Sequence, residues 1–347
     1  MSSTGSLVDR FGRIHADLRI SVTDRCNIRC DYCMPEEGVA FRSHDEMLTF
    51  EEIQRFVAVA APLGVREVRL TGGEPLIRKG VCALVEMLAA VPGIDDLAMT
   101  TNGILLPEYA EPLKAAGLDR LNISLDTLSR SEFLRISRRD ELPNVLEGIE
   151  AARRAGFRSI KLNALAVRGR TEREVVPLAR FARQRGMELR FIEFMPLDGD
   201  VRWEPARVLP GEEILRILAG EFGPPEPIPV DGSRAPATQY RFPDGGPPIG
   251  LIRTLTHPFC DRCGRLRLTA DGRLRSCLFS AEEPDVRSLL RAGGTDEQLA
   301  DLLHRAVRDK PPPHGSETGR WSRTERSMHQ IGGGPPTPPA PQHGRHH

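Results

Sequence analysis

Thr23-Asp24-Arg25-Cys26-Asn27-Ile28-Arg29-Cys30-Asp31-Tyr32-Cys33-Met34-Pro35 is the stretch whose reading decides the fold. The run before it, Leu18-Arg19-Ile20-Ser21-Val22, has the pattern of a strand. The three cysteines therefore sit on the loop leaving that strand's C-terminal end, where α/β folds gather their ligands. At Cys-x3-Cys-x2-Cys spacing the thiolates can fold back over one point, and soft thiolates select iron–sulfur clusters, zinc or copper(I). A structural zinc site closes with four ligands, whereas three thiolates on a four-iron cluster leave one iron open. A zinc site completed by His44 or Asp31 is the competing reading of the same residues.

Composition bounds what surrounds this loop. A chain of 347 residues, 39% of them hydrophobic, can bury one large domain and an appendage. Lys+Arg equals Asp+Glu at 48 each, so net charge points to neither nucleic acid nor membrane. Lysine occurs only at Lys79, Lys114, Lys161 and Lys310, so arginine clusters carry little weight alone. Of seven cysteines, six fall in two groups of three, which suits metal binding in a reducing compartment better than disulfides; Cys82 is left for the core. There is no N-terminal apolar segment and no membrane-length apolar run. The expectation is a cytoplasmic protein.

Downstream the pattern alternates. Thr49 caps a helix running to about Leu63, and strands are predicted at Glu67–Thr71, Leu97–Thr101, Arg120–Leu125, Ser159–Val167 and Glu188–Phe194, with helices between them. This predicts a parallel sheet wrapped by helices, as a barrel, a partial barrel or an open doubly wound sheet. Strand ends supply polar groups: Thr71-Gly72-Gly73-Glu74-Pro75, Thr100-Thr101-Asn102-Gly103, Asn122 to Asp126, Lys161-Leu162-Asn163 and Glu193-Phe194-Met195-Pro196. Neither a P-loop nor a strand-linked Gly-x-Gly-x-x-Gly occurs, so phosphate contacts must come from side chains.

After Met195 a helix is expected from Pro210 to Phe222, then Pro- and Gly-rich loops with short strands near Gln239–Phe242 and Gly250–Leu255. A second cysteine set follows, Cys260, Cys263 and Cys277, with Asp271-Gly272 as the hairpin turn that returns the last cysteine to the first two. Arg265 and Arg267 alternate on one strand and share a face that can hold phosphate. A Cys3His zinc site using His257 is the alternative here, and would make the chain a zinc-dependent binding protein.

The first cysteine loop together with Gly-Gly-Glu-Pro resembles the signature of the radical S-adenosylmethionine (radical SAM) superfamily. The resemblance implies a partial (β/α)6 TIM-like barrel and a [4Fe–4S] cluster on Cys26, Cys30 and Cys33. SAM would chelate the open iron and yield a 5′-deoxyadenosyl radical on reduction, with Tyr32, Gly73, Ser124 and Met195 as the positions that hold it. The second cysteine set, Gly264-Arg265-Leu266-Arg267-Leu268-Thr269, and the tail Met328-His329-Gln330-Ile331-Gly332-Gly333 resemble the GTP 3′,8-cyclase family, lyases that begin molybdenum-cofactor biosynthesis.

That likeness implies a second [4Fe–4S] cluster on Cys260, Cys263 and Cys277 whose open iron takes the guanine of GTP. Arg19, Arg69, Thr100, Lys161, Arg265, Leu266 and Arg267 would form the substrate site. It also implies an electron donor, a downstream cyclic pyranopterin monophosphate synthase, and a monomer or homodimer. Another two-cluster enzyme, such as a peptide-modifying maturase, is the alternative, although such enzymes usually carry more C-terminal cysteines. The expected organisation is an N-terminal segment (1–17), a barrel (18–196), a smaller iron–sulfur module with a Gly-Gly tail (197–333) and a Pro-rich extension (334–347) with no catalytic role. In the family the Gly-Gly pair ends the chain and enters the active site; here the chain continues past it.

Overall fold

The computed structural model describes residues 5–35, 37, 39–197, 203–229, 235–280, 282–313 and 328–331. The chain runs β1 (Asp17–Ser21), α1 (Phe50–Ala60), β2 (Glu67–Thr71), α2 (Val81–Ala89), β3 (Asp96–Thr101), α3 (Leu106–Ala115), β4 (Arg120–Ser124), α4 (Arg130–Ser137), α5 (Leu142–Arg154), β5 (Ser159–Ala166), α6 (Val175–Gln184) and β6 (Glu188–Glu193). It continues with α7 (Gly211–Phe222), β7 (Glu226–Pro227), β8 (Thr238–Arg241), β9 (Ile249–Ile252), β10 (Arg265–Leu268), β11 (Leu274–Arg275), α8 (Val286–Arg291), α9 (Asp296–Arg308) and α10 (Met328–Ile331). All six strands expected in the first half are present.

They pair in parallel, β1 through β6 in chain order, as right-handed β-α-β crossovers require. The second half does not build a sheet of its own. β10 adds to the free edge of β1, and β9 to that of β6, both in parallel. β11 and the β8/β7 hairpin then close the two ends in antiparallel fashion. Unpaired edges expose a row of backbone donors and acceptors, and the extension leaves only the two-residue strands β11 and β7 at the ends.

Register decides which side is core. Leu266, Leu18, Val68 and Leu97 lie in one lateral row, and Met99, Leu121 and Ile160 in the next, all buried beneath the helices. Each such side chain contributes about 1.5–3 kcal/mol of burial. The alternate positions face the barrel interior and are polar: Arg267, Arg19 and Arg69 form one row, with Asn122, Asn163 and Arg190 on the strands beyond. Strands buried on both faces normally read as continuous apolar runs. The alternation here marks an interior built for ligand rather than packing.

Helix starts follow local chemistry. Thr49 accepts from the Glu52 N–H while the Glu52 carboxylate accepts from the Thr49 N–H, closing a capping box on α1. The expected helix between β5 and β6 begins only at Val175, because Thr171–Arg173 before it is a 3-10 turn. α8 and α9 were not read from the sequence, although Thr295 and Gln298 form the same capping box ahead of the apolar face Leu299, Leu302, Leu303 and Ala306. No helix among the described residues is long and apolar enough to cross a membrane.

Helices α3 and α5 touch through glycine. A Cβ on Gly148 would stand 2.0 Å from the Gly103 carbonyl oxygen and 3.1 Å from Leu106 Cβ. Gly148→Ala is therefore expected to destabilise the protein by about 1–3 kcal/mol through forced separation of the two helices, read as a lower Tm for the variant than for the parent chain.

Candidate active site

A cavity of about 390 Å³ opens at the C-terminal ends of the strands. Its wall includes the first cysteine set, Cys26, Cys30 and Cys33, with Tyr32, Gly73, Thr100, Ser124 and Met195 from the strand-end loops. It also includes Arg19, Arg69, Arg265 and Arg267. Of the second cysteine set, the immediate neighbours Phe259, Arg265 and Leu278 reach the same wall.

The first loop is held on several sides. Cys33 and Met34 N–H groups donate to the Cys30 carbonyl at 2.9 and 3.0 Å, forming the turn that gathers the thiols. Arg29 and Asp31 N–H groups donate to Ser137 and Ile136 carbonyls at the end of α4. Arg170 grips the Asp31 carboxylate with two hydrogen bonds of 3.2 and 2.7 Å, and the Tyr32 hydroxyl donates to Asp126 at 2.6 Å. Asn102 donates to Asn27 Oδ1 at 2.7 Å, beside Cys26. Asp31 is thus engaged elsewhere, and His44 is exposed in a separate cleft, so neither completes a zinc site with these thiols. His257 is likewise exposed. Among the described residues, no three His, Cys, Asp or Glu side chains close on a single-ion site.

Gly73 and Glu74 splice this loop to β2. The Gly73 N–H donates to the Thr23 carbonyl and the Glu74 N–H to the Arg25 carbonyl, both at 2.8 Å. Glu74 does not reach the cavity. Its carboxylate accepts from Leu76 N–H, Thr101 Oγ1 and Asn102 N–H at 3.0, 2.8 and 2.7 Å, while burial pushes its pKa up to about 7.

The two cysteine sets differ electrostatically. Burial, then the Glu74 charge, pushes the Cys26 thiol up to about 11, and burial with the neighbouring Cys33 and Asp126 raises Cys30. These thiols stay protonated until a cation displaces the protons. Burial also opposes ionisation of Cys263, but Arg265 and Lys310 outweigh it and bring that thiol down to about 6. Lys310 acts on Cys263 and Cys277, and Arg265 on Cys263 and Cys260, so all three thiols of the second set share one cationic environment.

The arginines have few protein partners. Arg19 reaches Asp17 at 3.6 Å, whereas among the described residues neither Arg69 nor Arg267 has a carboxylate within ion-pair distance. Burial and the adjacent Arg19 bring Arg69 down to about 9 and depress Arg267. Such a row leaves positive charge uncompensated by the protein. Lys161 shares the inward face but not the cavity wall; it pairs with Glu188 at 3.5 Å. The Leu266 side chain is fully buried in the apolar row, leaving only its backbone near the site.

Asn122 and Asn163, among the polar strand ends expected at the barrel mouth, line the cavity, and so does Arg190, which sequence reading did not single out. Both side-chain polar atoms of Asn122 and Oδ1 of Asn163 are buried without a protein partner, as ligand-facing groups would be. The signal was present: each lies an even number of residues from Ser124, Lys161 or Glu188 on its own strand. The tail returns as well. Met328 N–H donates to the Leu197 carbonyl at 2.9 Å, and Ile331 packs with Met195 and Leu197 at the cavity wall. Gly332, Gly333 and the 334–347 extension lie outside the described residues.

A parallel partial barrel whose first strand empties into a three-thiol loop is the architecture of radical SAM enzymes, and residues 20–182 match the model of the radical SAM superfamily. Residues 187–316 match the molybdenum cofactor synthesis C-terminal family. Curated GTP 3′,8-cyclases are similar over nearly their whole length. The Rhodopirellula baltica protein is 49% identical, covering 96% of this chain and 94% of its own, and that of Pelotomaculum thermopropionicum is 46% identical, covering 94% and 99%. The Streptomyces coelicolor protein is 43% identical, covering 94% and 96%. The chain belongs to the GTP 3′,8-cyclase family. Among solved structures, Streptococcus suis SuiB bound to its precursor peptide superposes with a TM-score of 0.63 at 13% identity, covering 87% of this chain and 69% of that one, a likeness of fold alone.

Membership in a radical SAM family implies a [4Fe–4S] cluster and SAM. Cys26, Cys30 and Cys33 fit that cofactor: three soft donors open on a cavity, with no fourth ligand beside them among the described residues. The splice at Gly73 is tight, since a Cβ there would meet the Arg25 carbonyl oxygen at 2.1 Å. Gly73→Ala is expected to weaken SAM binding at least tenfold, about 1.4 kcal/mol, by calorimetric titration of the reconstituted protein.

Proposed function

We propose that this enzyme converts GTP to (8S)-3′,8-cyclo-7,8-dihydroguanosine 5′-triphosphate, using two [4Fe–4S] clusters with GTP held between them. The observation that carries the reading is the row Arg267, Arg19 and Arg69, short of carboxylate partners, on the wall of a cavity that also exposes the first three thiols. Cys26, Cys30 and Cys33 would hold the cluster that, with SAM, would supply hydrogen abstraction at the ribose 3′ position; bonding of C3′ to C8 of guanine would then be balanced by one electron from an external one-electron donor and one proton.

The chain's own residues supply position and exclusion of water. Tyr32, Gly73, Ser124 and Met195 are assigned to SAM, and Asn122 and Asn163 offer amides between the SAM side and the arginines. Cys260, Cys263 and Cys277 hold the second cluster. Arg19, Arg69, Arg265 and Arg267 hold the triphosphate, each contact worth about 1.5–3 kcal/mol as a hydrogen bond to a charged group. Thr100 lies on the same wall, and Lys161 supports it from one layer deeper through Glu188. Fixing the substrate's two ends holds the target C–H in near-attack geometry, which is the protein's share of a radical reaction.

Division of the chain near Pro196 separates the SAM half from the residues of the second cluster and much of the triphosphate site. The reading carries with it GTP as substrate, a one-electron donor, a downstream cyclic pyranopterin monophosphate synthase and a cytoplasmic setting.

The test is anaerobic reconstitution with iron and sulfide, reduction, and incubation with SAM and GTP, followed by mass spectrometry. Equimolar 5′-deoxyadenosine and cyclised nucleotide support the reading; 5′-deoxyadenosine without loss of GTP overturns the substrate. Arg267→Ala is expected to weaken GTP binding at least tenfold, the equivalent of about 1.4 kcal/mol, with SAM affinity unchanged. Unchanged GTP affinity removes Arg267 from the site.

A further inference from the structure

Lys310, just beyond α9, is 2% exposed. Its three ammonium protons meet three neutral acceptors: His15 Nε2 at 2.9 Å, the Cys263 carbonyl at 2.7 Å and the Arg265 carbonyl at 3.3 Å. Among the described residues no carboxylate lies within ion-pair distance of it. Asp9, the acid of this cluster, is bound to Arg13 Nε at 2.5 Å and to the Phe11 and Arg13 N–H groups at 2.9 and 3.0 Å, and lies 3.8 Å from His15 Nε2. A buried ammonium without a counter-charge is strongly unfavourable. Cys263 Sγ, a ligand atom of the second cysteine set, stands 4.0 Å from Nζ.

The surroundings fix that placement. Arg13 donates to the Cys260 and Pro311 carbonyls, both at 2.9 Å, latching the N-terminal segment onto the second cysteine turn and onto the residue after Lys310. Gly264, inside the turn, leaves no room for a Cβ, which would meet the Ile14 carbonyl oxygen at 2.1 Å. A chain of contacts thus runs from residues 9–15 through Lys310 to the thiol.

We propose that Lys310 is a positioning residue that supplies the fixed counter-charge of the second iron–sulfur cluster and, through Cys263, raises its reduction potential. This rests on the reading that Cys260, Cys263 and Cys277 hold a four-iron cluster. Three thiolates leave such a site anionic, and one-electron reduction adds a further negative charge, with the electron coming from an external one-electron reductant. A buried cation beside a ligand sulfur favours the reduced form, because charge and hydrogen bonding at the sulfurs set cluster potentials.

The test is a dithionite redox titration of the reconstituted full-length enzyme, followed by electron paramagnetic resonance, for the parent chain and for Lys310→Met, Lys310→Gln and Lys310→Arg, with iron counted per chain. The methionine and glutamine variants are expected to lower the reduced-to-oxidised ratio of the second cluster at least tenfold at a given potential, a downward shift of about 59 mV for a one-electron couple. The first cluster should not move, and the arginine variant should stay near the parent. If the methionine variant sheds the second cluster, the glutamine variant, which keeps a hydrogen-bond donor without the charge, decides. An unmoved second cluster in that variant, with about eight irons per chain, overturns the role of Lys310 and leaves the two-cluster reading standing. About four irons and one signal in the parent chain overturn both.

Discussion

Three guanidinium side chains held side by side on neighbouring strands, Arg267, Arg19 and Arg69, are the constraint on which the rest of the structure depends. At a spacing of about 5 Å and an effective dielectric of about 20, two such charges repel by about 3 kcal/mol. The sheet must hold them there without a full set of carboxylates, and it does so by packing its other face. Leu266, Leu18 and Val68, alternate residues of the same strands, are buried under the helices. Apolar burial outside the barrel thus stabilises an electrostatically unfavourable interior.

The same reasoning explains why the second half of the chain joins the sheet. β10 must lie beside β1 for Arg267 to complete the row, and it carries the second cysteine turn with it at a distance set by covalent geometry. One strand pairing therefore places the arginine row and the second thiol set together. The β10–β11 hairpin, turning at Gly272 with φ of 77°, brings Cys277 back. The first cysteine loop is bound to the opposite edge of the same cavity through Gly73, Asp126 and Arg170.

The two thiol sets are prepared differently. Cys26 and Cys30 lie in surroundings that resist ionisation, whereas Cys263 lies beside Arg265 and Lys310, which promote it. Fixed protein cations, Arg265 and Lys310, thus favour the Cys263 thiolate in the second set, while burial prevails at Cys26 and Cys30 of the first.

The cysteine spacing, the Gly-Gly-Glu-Pro strand end and the β-α alternation were legible in the sequence because they are local: each depends on residues a few positions apart, and strand and helix periods differ enough to be told apart. The six barrel strands, the Thr49 cap and the Asp271-Gly272 turn follow from such short-range rules. The choice between an open sheet and a barrel did not, nor did the attachment of β9 and β10 to its two edges, since strand pairing is a long-range choice that no local period encodes. Tertiary structure alone set Lys161 against Glu188 and turned Leu266 into the core, added Arg190 to the wall, and buried Lys310 beside Cys263. Those positions depend on which strand lies next to which, and a residue's neighbours across a sheet are decided only when the sheet closes.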